Sequence, residues 1–261
     1  MADPYATVVI CTTRHPQLVL NCLALQTFRN FEILIASERG IPNAMNRALQ
    51  RARGQIFIRV DDDVEIPKKW LESLLMPFND QSVCGATGPT FVPGERWKNR
   101  DSIRFASKPG WFLRWLYDND PCAPAKIYKC GNVSYGSNFP SCIDMDKKYE
   151  IDHLEGTNWA MRTELIKDVG GFDEAFDGVS EWFDTDVEQK VKRMGYRLAY
   201  VPGAWLNHNL EKGEHYNDRF DGFGRIKNWI RYHSRYSKFH YKMVIYLLVW
   251  VGYFLTRSIK K

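Results

Sequence analysis

The chain has 261 residues, 44% of them hydrophobic and 26% charged, with 36 lysines and arginines against 31 acidic residues and a net charge of +5. That length can bury the core of one large domain, and that balance is ordinary for a globular protein, which sets aside disordered and fibrous classes. No amino-terminal stretch has the form of a signal peptide: Met1-Ala2-Asp3-Pro4 runs straight into a strand-like segment, so the cytoplasm is the expected compartment.

The predicted elements alternate. Ala6 to Cys11 is apolar and β-branched and predicts a buried strand, with Thr12-Thr13-Arg14 as its polar turn. His15 to Gln26 carries Leu18, Val19, Cys22, Leu23 and Leu25 at helical spacing. Phe31 to Ala36 predicts a second strand ending at Ser37-Glu38-Arg39-Gly40. Pro42 to Arg53 predicts a helix with Ala44, Ala48, Leu49 and Ala52 on one face. Gln55 to Val60 is a third strand, and it runs into three consecutive carboxylates, Asp61-Asp62-Asp63. Pro67 then opens a helix over Lys68 to Met76. The order predicts parallel strands covered by helices, with right-handed crossovers bringing Thr12, Arg14, Glu38 and the triplet to one rim. Three acids there repel one another, and a hard divalent cation would offset their charge. The plainer alternative is a solvated acidic turn.

Val83 to Thr87 predicts another strand, and Gly85 and Gly88 permit close approach of a neighbour. Residues 88 to 152 are proline-rich and weakly periodic, with a short aromatic helix around Trp111 to Tyr117. None of the six cysteines forms a Cys-x-x-Cys pair. Cys11 and Cys22 sit in apolar segments; Cys122, Cys130 and Cys142 share the loop-rich region, where pairing and zinc binding both stay open. Glu181 to Met194 predicts a helix entered through Asp184 and closed by Gly195, and Tyr196 to Val201 a further strand before His208. From Gly222 onward there are nine lysines or arginines and no acid. Lys227, Arg231, Arg235, Lys238 and Lys242 form one helical stripe; Trp229, Tyr232, Tyr236, Phe239 and Met243 form another. Met243 to Leu255 is uncharged. As a helix it spans roughly 20 Å, short of a bilayer's roughly 30 Å hydrocarbon core.

These motifs together resemble family 2 glycosyltransferases with the GT-A fold. Cys11-Thr12-Thr13-Arg14 matches that family's first turn, and Ala36-Ser37-Glu38 the place where acids hold the nucleoside. Gly40-Ile41-Pro42-Asn43-Ala44-Met45-Asn46 matches its helix start and Asp61-Asp62-Asp63 its Asp-x-Asp signature. The segment from His153 to Arg162, with Gly156, matches its donor-sugar strand. Glu181-Trp182-Phe183-Asp184-Thr185-Asp186 matches its Glu-Asp-x-Asp motif. The chain departs in carrying Cys11 and Arg14 for the usual Pro and Asn, Glu38 as a single acid, and Phe183 in place of Glu.

The resemblance implies an α/β GT-A domain over residues 1–210, a mixed Rossmann-like sheet flanked by helices. Residues 1–88 would form its nucleotide-binding half and 89–210 its acceptor and catalytic half, with a helical extension over 211–261. It implies an inverting transferase moving a sugar from a UDP, GDP or dTDP sugar to a glycan or lipid-linked hydroxyl. Thr12, Arg14, Glu38, Asn46, Asp61, Asp62 and Gly156 would hold the donor, and Asp63 and His208 would hold Mn2+ or Mg2+, with His153 and His215 as alternatives to His208. Asp184 would be the catalytic base, and Asp186 would face the backbone or a basic partner. The extension is read as a basic, aromatic helix lying peripherally on the cytoplasmic face of a membrane. Its alternative is a helical pair packed on the domain. A non-catalytic sugar-nucleotide-binding or scaffold protein is the competing function. A nucleotidyltransferase would want a glycine-rich phosphate loop that Thr12-Thr13-Arg14 is not, and no nucleic-acid motif accompanies the basic stripe.

Overall fold

The structure, a computed structural model, describes residues 3–93, 110–120, 122–176, 178, 181–211 and 222–258, apart from the side chains of 222 and 253–258. In chain order the first half comprises β1 (Ala6–Cys11), α1 (Gln17–Ala24), β2 (Phe31–Ala36), α2 (Ile41–Arg51), β3 (Ile56–Val60), β4 (Val64–Glu65), α3 (Trp70–Leu75), β5 (Val83–Thr87) and β6 (Thr90–Phe91). The second half comprises α4 (Trp111–Leu116), β7 (Asn158–Arg162), α5 (Thr163–Asp168), α6 (Phe183–Lys192), β8 (Arg197–Tyr200), β9 (Leu206–His208), α7 (Gly222–Tyr236) and α8 (Tyr241–Ser258).

Six strands form one mixed sheet in the order β2-β1-β3-β7-β5-β8. The first three are parallel, as the alternation of strands and helices predicts, and β7 runs antiparallel between β3 and β5. Both faces are covered, so the central strands are mostly apolar. Val9, Phe57 and Trp159 point to one side, under α2, α6 and α7; Ile10, Ile58 and Ala160 point to the other, under α1 and α3. A Cβ at Gly88 would run into the Ala204 carbonyl, the close approach expected there.

A second sheet of three short strands, β4-β9-β6, stands at the rim. It changes one expectation. Val64-Glu65 is paired strand, Lys68 and Lys69 form a turn after Pro67, and the next helix begins at Trp70. The strand expected from His153 narrows to Asn158–Arg162, leaving residues 153–157 as a loop.

In the weakly periodic region, Cys122 and Cys142 form a disulfide, while Cys130 is buried and free. The carboxy-terminal helices pack on the domain, the alternative weighed for them. Trp229, Tyr232 and Met243 join the same buried cluster as Trp159 and Phe183. The Trp229 indole donates to the Gly131 carbonyl at 2.7 Å, and Lys242 pairs with Asp118 at 2.7 Å. No helix among the described residues is long and apolar enough to cross a membrane.

Candidate active site

The three parallel strands end on one edge, and the acidic triplet leaves the third of them, β3. The triplet lies at the end of β3 and in the turn before β4, and its side chains divide. Asp62 turns to the first strand's polar turn, where Thr12 donates to it and Arg14 binds both its oxygens at 2.6 and 3.0 Å. Arg14 also reaches Glu211 at 3.2 Å. Asp61 and Asp63 turn the other way, toward His208. The imidazole Nε2 stands 3.2 Å from Asp63 and 3.8 Å from Asp61. This closeness comes from the rim sheet, where Val64 pairs with His208 in register and holds the histidine beside the residue before it.

One donor atom from each of Asp61, Asp63 and His208 lies within 4.8 Å of the others. Two carboxylates and an imidazole are a donor set that suits Mn2+ or Mg2+, and the fit is with this trio rather than with Asp62. Burial would push the Asp63 carboxyl up, but the His208 hydrogen bond and charge and the Glu211 N–H outweigh it and bring it below its ordinary range. The Glu211 N–H donates to Asp63 at 2.7 Å, and the Thr157 hydroxyl donates to Asp61 at 2.8 Å. Both acids of the trio are therefore oriented by neighbours.

Asp184 lies in the first turn of α6. Its Oδ1 accepts the Thr185 N–H at 2.9 Å. Its Oδ2 faces Arg59 at 3.3 Å and the bare α-carbon of Gly156, where an added Cβ would sit 2.8 Å from it. Arg59 was not singled out from the sequence. It is 8% exposed in the middle of β3 and lies over the Phe183 ring at 5.2 Å. Its second partner is Asp61, at 3.5 Å. One buried guanidinium thus joins the cluster of Asp61, Asp63 and His208 to the helix carrying Asp184. Burial works against its charge, yet Asp61 and Asp184 raise its pKa overall.

Two more acids stand nearby. Burial, then the charge of Asp184, pushes Glu188 well up; it accepts the Leu154 N–H at 3.0 Å and the Trp159 indole at 2.7 Å. Burial also raises Glu155, against opposing effects of His153 and Ser137. Asp186 is fully buried and meets basic partners as expected, Arg235 and Lys190 each at 2.8 Å.

The remaining expected residues divide. Glu38 is at the end of β2 on the same rim, with Arg51 4.0 Å away. Asn46 is spent elsewhere: its amide brackets the Phe172 backbone from both sides at 2.9 Å and reaches Glu174 at 2.9 Å. His153 is buried against the Leu154 carbonyl at 2.9 Å, and His215 lies outside the described residues.

Comparison with known proteins gives this geometry its family. A curated glucosyl-dolichyl phosphate glucuronosyltransferase of Haloferax volcanii is 22% identical over 202 residues, covering 76% of this chain and 55% of that protein. The chain therefore spans about half the length of that relative. The mannosyltransferase PcManGT from Pyrobaculum calidifontis, solved with GDP-Man and Mn2+, superposes with a TM-score of 0.56 at 15% identity, over 95% of this chain and 70% of that one. GalNAc-T7, solved with UDP, GalNAc and Mn2+, gives 0.58 at 14% identity, over 88% of this chain and 48% of that one. These likenesses carry the fold, a GT-A sheet flanked by helices. The family description Glycosyl transferase family 2 matches residues 23–170, more than half of the chain, and the chain belongs to that family.

Proposed function

We propose that the protein is an inverting glycosyltransferase that moves a sugar from a nucleotide-sugar donor to a hydroxyl acceptor with a divalent metal. The observation that carries this reading is the joint between Asp184 and the Asp61, Asp63 and His208 cluster through Arg59. The family supports the reaction class, and the nucleotides and Mn2+ bound by the fold neighbours support the donor and metal.

In this reading Asp61, Asp63 and His208 would hold Mn2+ or Mg2+, which would supply a Lewis acid to offset charge on the diphosphate leaving group. Thr12, Arg14, Glu38 and Asp62 line the rim where the nucleoside lies. Gly156 leaves room for the sugar beside Asp184. Asp184 takes the acceptor hydroxyl's proton as the oxygen attacks the anomeric carbon and the bond to the diphosphate breaks. One displacement inverts the configuration, and no covalent nucleophile is needed. Asp184→Asn tests it: transfer falls by about 100-fold or more while donor affinity stays. Full transfer in that variant would remove the base assignment.

The acceptor in this reading is a glycan or lipid-linked glycan at a membrane surface. Support comes from the lipid-linked substrate named for the Haloferax relative and from apolar side chains left exposed on the extension. Phe223, Phe239, Tyr241, Val244, Leu248 and Val251 are all exposed. Val244, Leu248 and Val251 recur at helical spacing on a face turned away from the buried Met243. Co-sedimentation with phosphatidylserine-containing vesicles, weakened by Phe239→Glu with Leu248→Glu, is the expected result. Equal recovery of both proteins with the vesicles would count against membrane contact.

A further inference from the structure

Asp184 stands between two residues that the carboxy-terminal helix holds. The first turn of α6 closes with a hydrogen bond from the Asp186 N–H to the Trp182 carbonyl at 2.9 Å, and Asp184 is midway between them. Trp182 is left-handed, at φ 74°, a conformation that a side chain of this size keeps only under outside restraint. The restraint comes from α7. The Trp182 ring lies against Tyr232 with centroids 4.5 Å apart, and His233 meets it at 5.0 Å.

At the other end of the turn, one oxygen of the buried Asp186 accepts both the Tyr236 hydroxyl and the Arg235 guanidinium, each at 2.8 Å. A third contact comes from Asp186's own helix, where Lys190 lies 2.8 Å from the second oxygen. Burying a carboxylate is a costly way merely to dock a helix, which apolar contact does without desolvating a charge. What the paired carboxylate adds is direction: it fixes the rotation of α6 against α7.

We propose that α7 is a positioning element for the transfer reaction. Tyr236 and Arg235 set the register of the first turn of α6, and through it where the Asp184 carboxylate sits. The inference rests on reading Asp184 as the base. Neither Tyr236 nor Arg235 touches substrate in this account; both act through Asp186. The extension is thus part of the reaction's geometry as well as a docked appendage. Reacting groups displaced by an ångström lose rate steeply, so the effect belongs in kcat.

The test uses the full chain with Tyr236→Phe, which keeps the ring and removes the hydroxyl, and Arg235→Lys, which keeps the charge. Lys190→Gln is the control that touches the same carboxylate from its own helix. Hydrogen exchange is read on the protein alone. Tyr236→Phe should speed exchange of the Asp186 amide by about ten-fold, with β3 amides unchanged. Unaltered protection at Asp186 would overturn the grip. Kinetics are read with whichever of UDP-glucose and GDP-mannose wild type turns over. Tyr236→Phe should lower kcat by about ten-fold or more at constant donor KM, and Arg235→Lys should lose less. Lys190→Gln should keep wild-type kcat. An unchanged kcat in Tyr236→Phe, or an equal loss in Lys190→Gln, would overturn the positioning role. Turnover by Asp184→Asn, in contrast, would remove the base itself and the inference with it.

Discussion

Arg59 occupies a place in the centre of a buried sheet where an aliphatic side chain ordinarily sits. A buried guanidinium persists there because Asp61 and Asp184 both face it and Phe183 covers it. Removing one partner of such a set leaves the others uncompensated, at a cost of about 3 kcal/mol or more. Arg59→Met is expected to lose roughly that much stability in urea unfolding; a loss under about 1 kcal/mol would show that the pairing is not structural. Gly156 acts at the same scale. A methyl there meets Asp184 at 2.8 Å, closer than real contacts allow. Gly156→Ala should keep the melting temperature within a few degrees and reduce kcat by about ten- to a hundred-fold. A variant with wild-type turnover would mean that Asp184 moves aside without consequence. The acids were readable in the sequence because carboxylates at a strand's end and at a helix's start are conspicuous. Arg59 was not: one charge within an apolar strand does not name its partners, and Asp184 is 125 residues away.

At the scale of elements, two features decide the site. The pairing of Val64 with His208 rests on strands of two and three residues, too short to leave a pattern in the sequence. His208 was recognisable as a histidine near the right strand, but its place beside Asp63 comes from that ladder. The other feature is α7, whose basic and aromatic stripes were legible while their partners were not. Arg235 was read as part of a basic face and is engaged with Asp173 and Asp186. His233 shows how tightly the helix is docked. Its Nε2–H donates to the Gly131 carbonyl at 2.8 Å, and the Ser237 hydroxyl meets Nδ1 at 2.6 Å. Burial lowers its pKa from 6.5 to about 4. The unfolded chain therefore binds a proton that the folded chain refuses between those values, and stability falls as pH drops through that window. Above pH 6.5 the residue contributes no slope. The loss approaches about 3 kcal/mol near pH 4, at roughly 1.4 kcal/mol per unit. Melting curves from pH 7 to 4 should show this fall, and His233→Gln should flatten it. Parallel profiles for the two proteins would place the acid sensitivity elsewhere.

The whole molecule gathers, at one edge of a mixed sheet, residues that lie far apart along the chain. The parallel order of the first three strands was legible because each apolar run alternates with a helix-period segment. The insertion of β7 antiparallel between β3 and β5 was not, since nothing in a strand's own residues states its neighbours. That insertion is what carries Thr157 to Asp61 and Gly156 to Asp184. It therefore joins the edge that carries the acidic triplet to the part of the chain that carries Asp184. The loop-rich region stayed opaque because its order comes from a disulfide and from contacts with α7 and α8 rather than from local periodicity.

The central claim is that this edge binds a nucleotide sugar through a metal held by Asp61, Asp63 and His208. The most direct measurement is thermal stabilisation by UDP, GDP, dTDP and CMP sugars, each with Mn2+ and with chelator, for wild type and Asp63→Ala. Ligand at about 100 times its dissociation constant stabilises by roughly 2.7 kcal/mol, a rise of several degrees. The account predicts such a rise with sugars of one base, present with Mn2+, absent with chelator and absent in Asp63→Ala. A folded protein that no donor stabilises, or a shift that survives both chelator and the substitution, would contradict it.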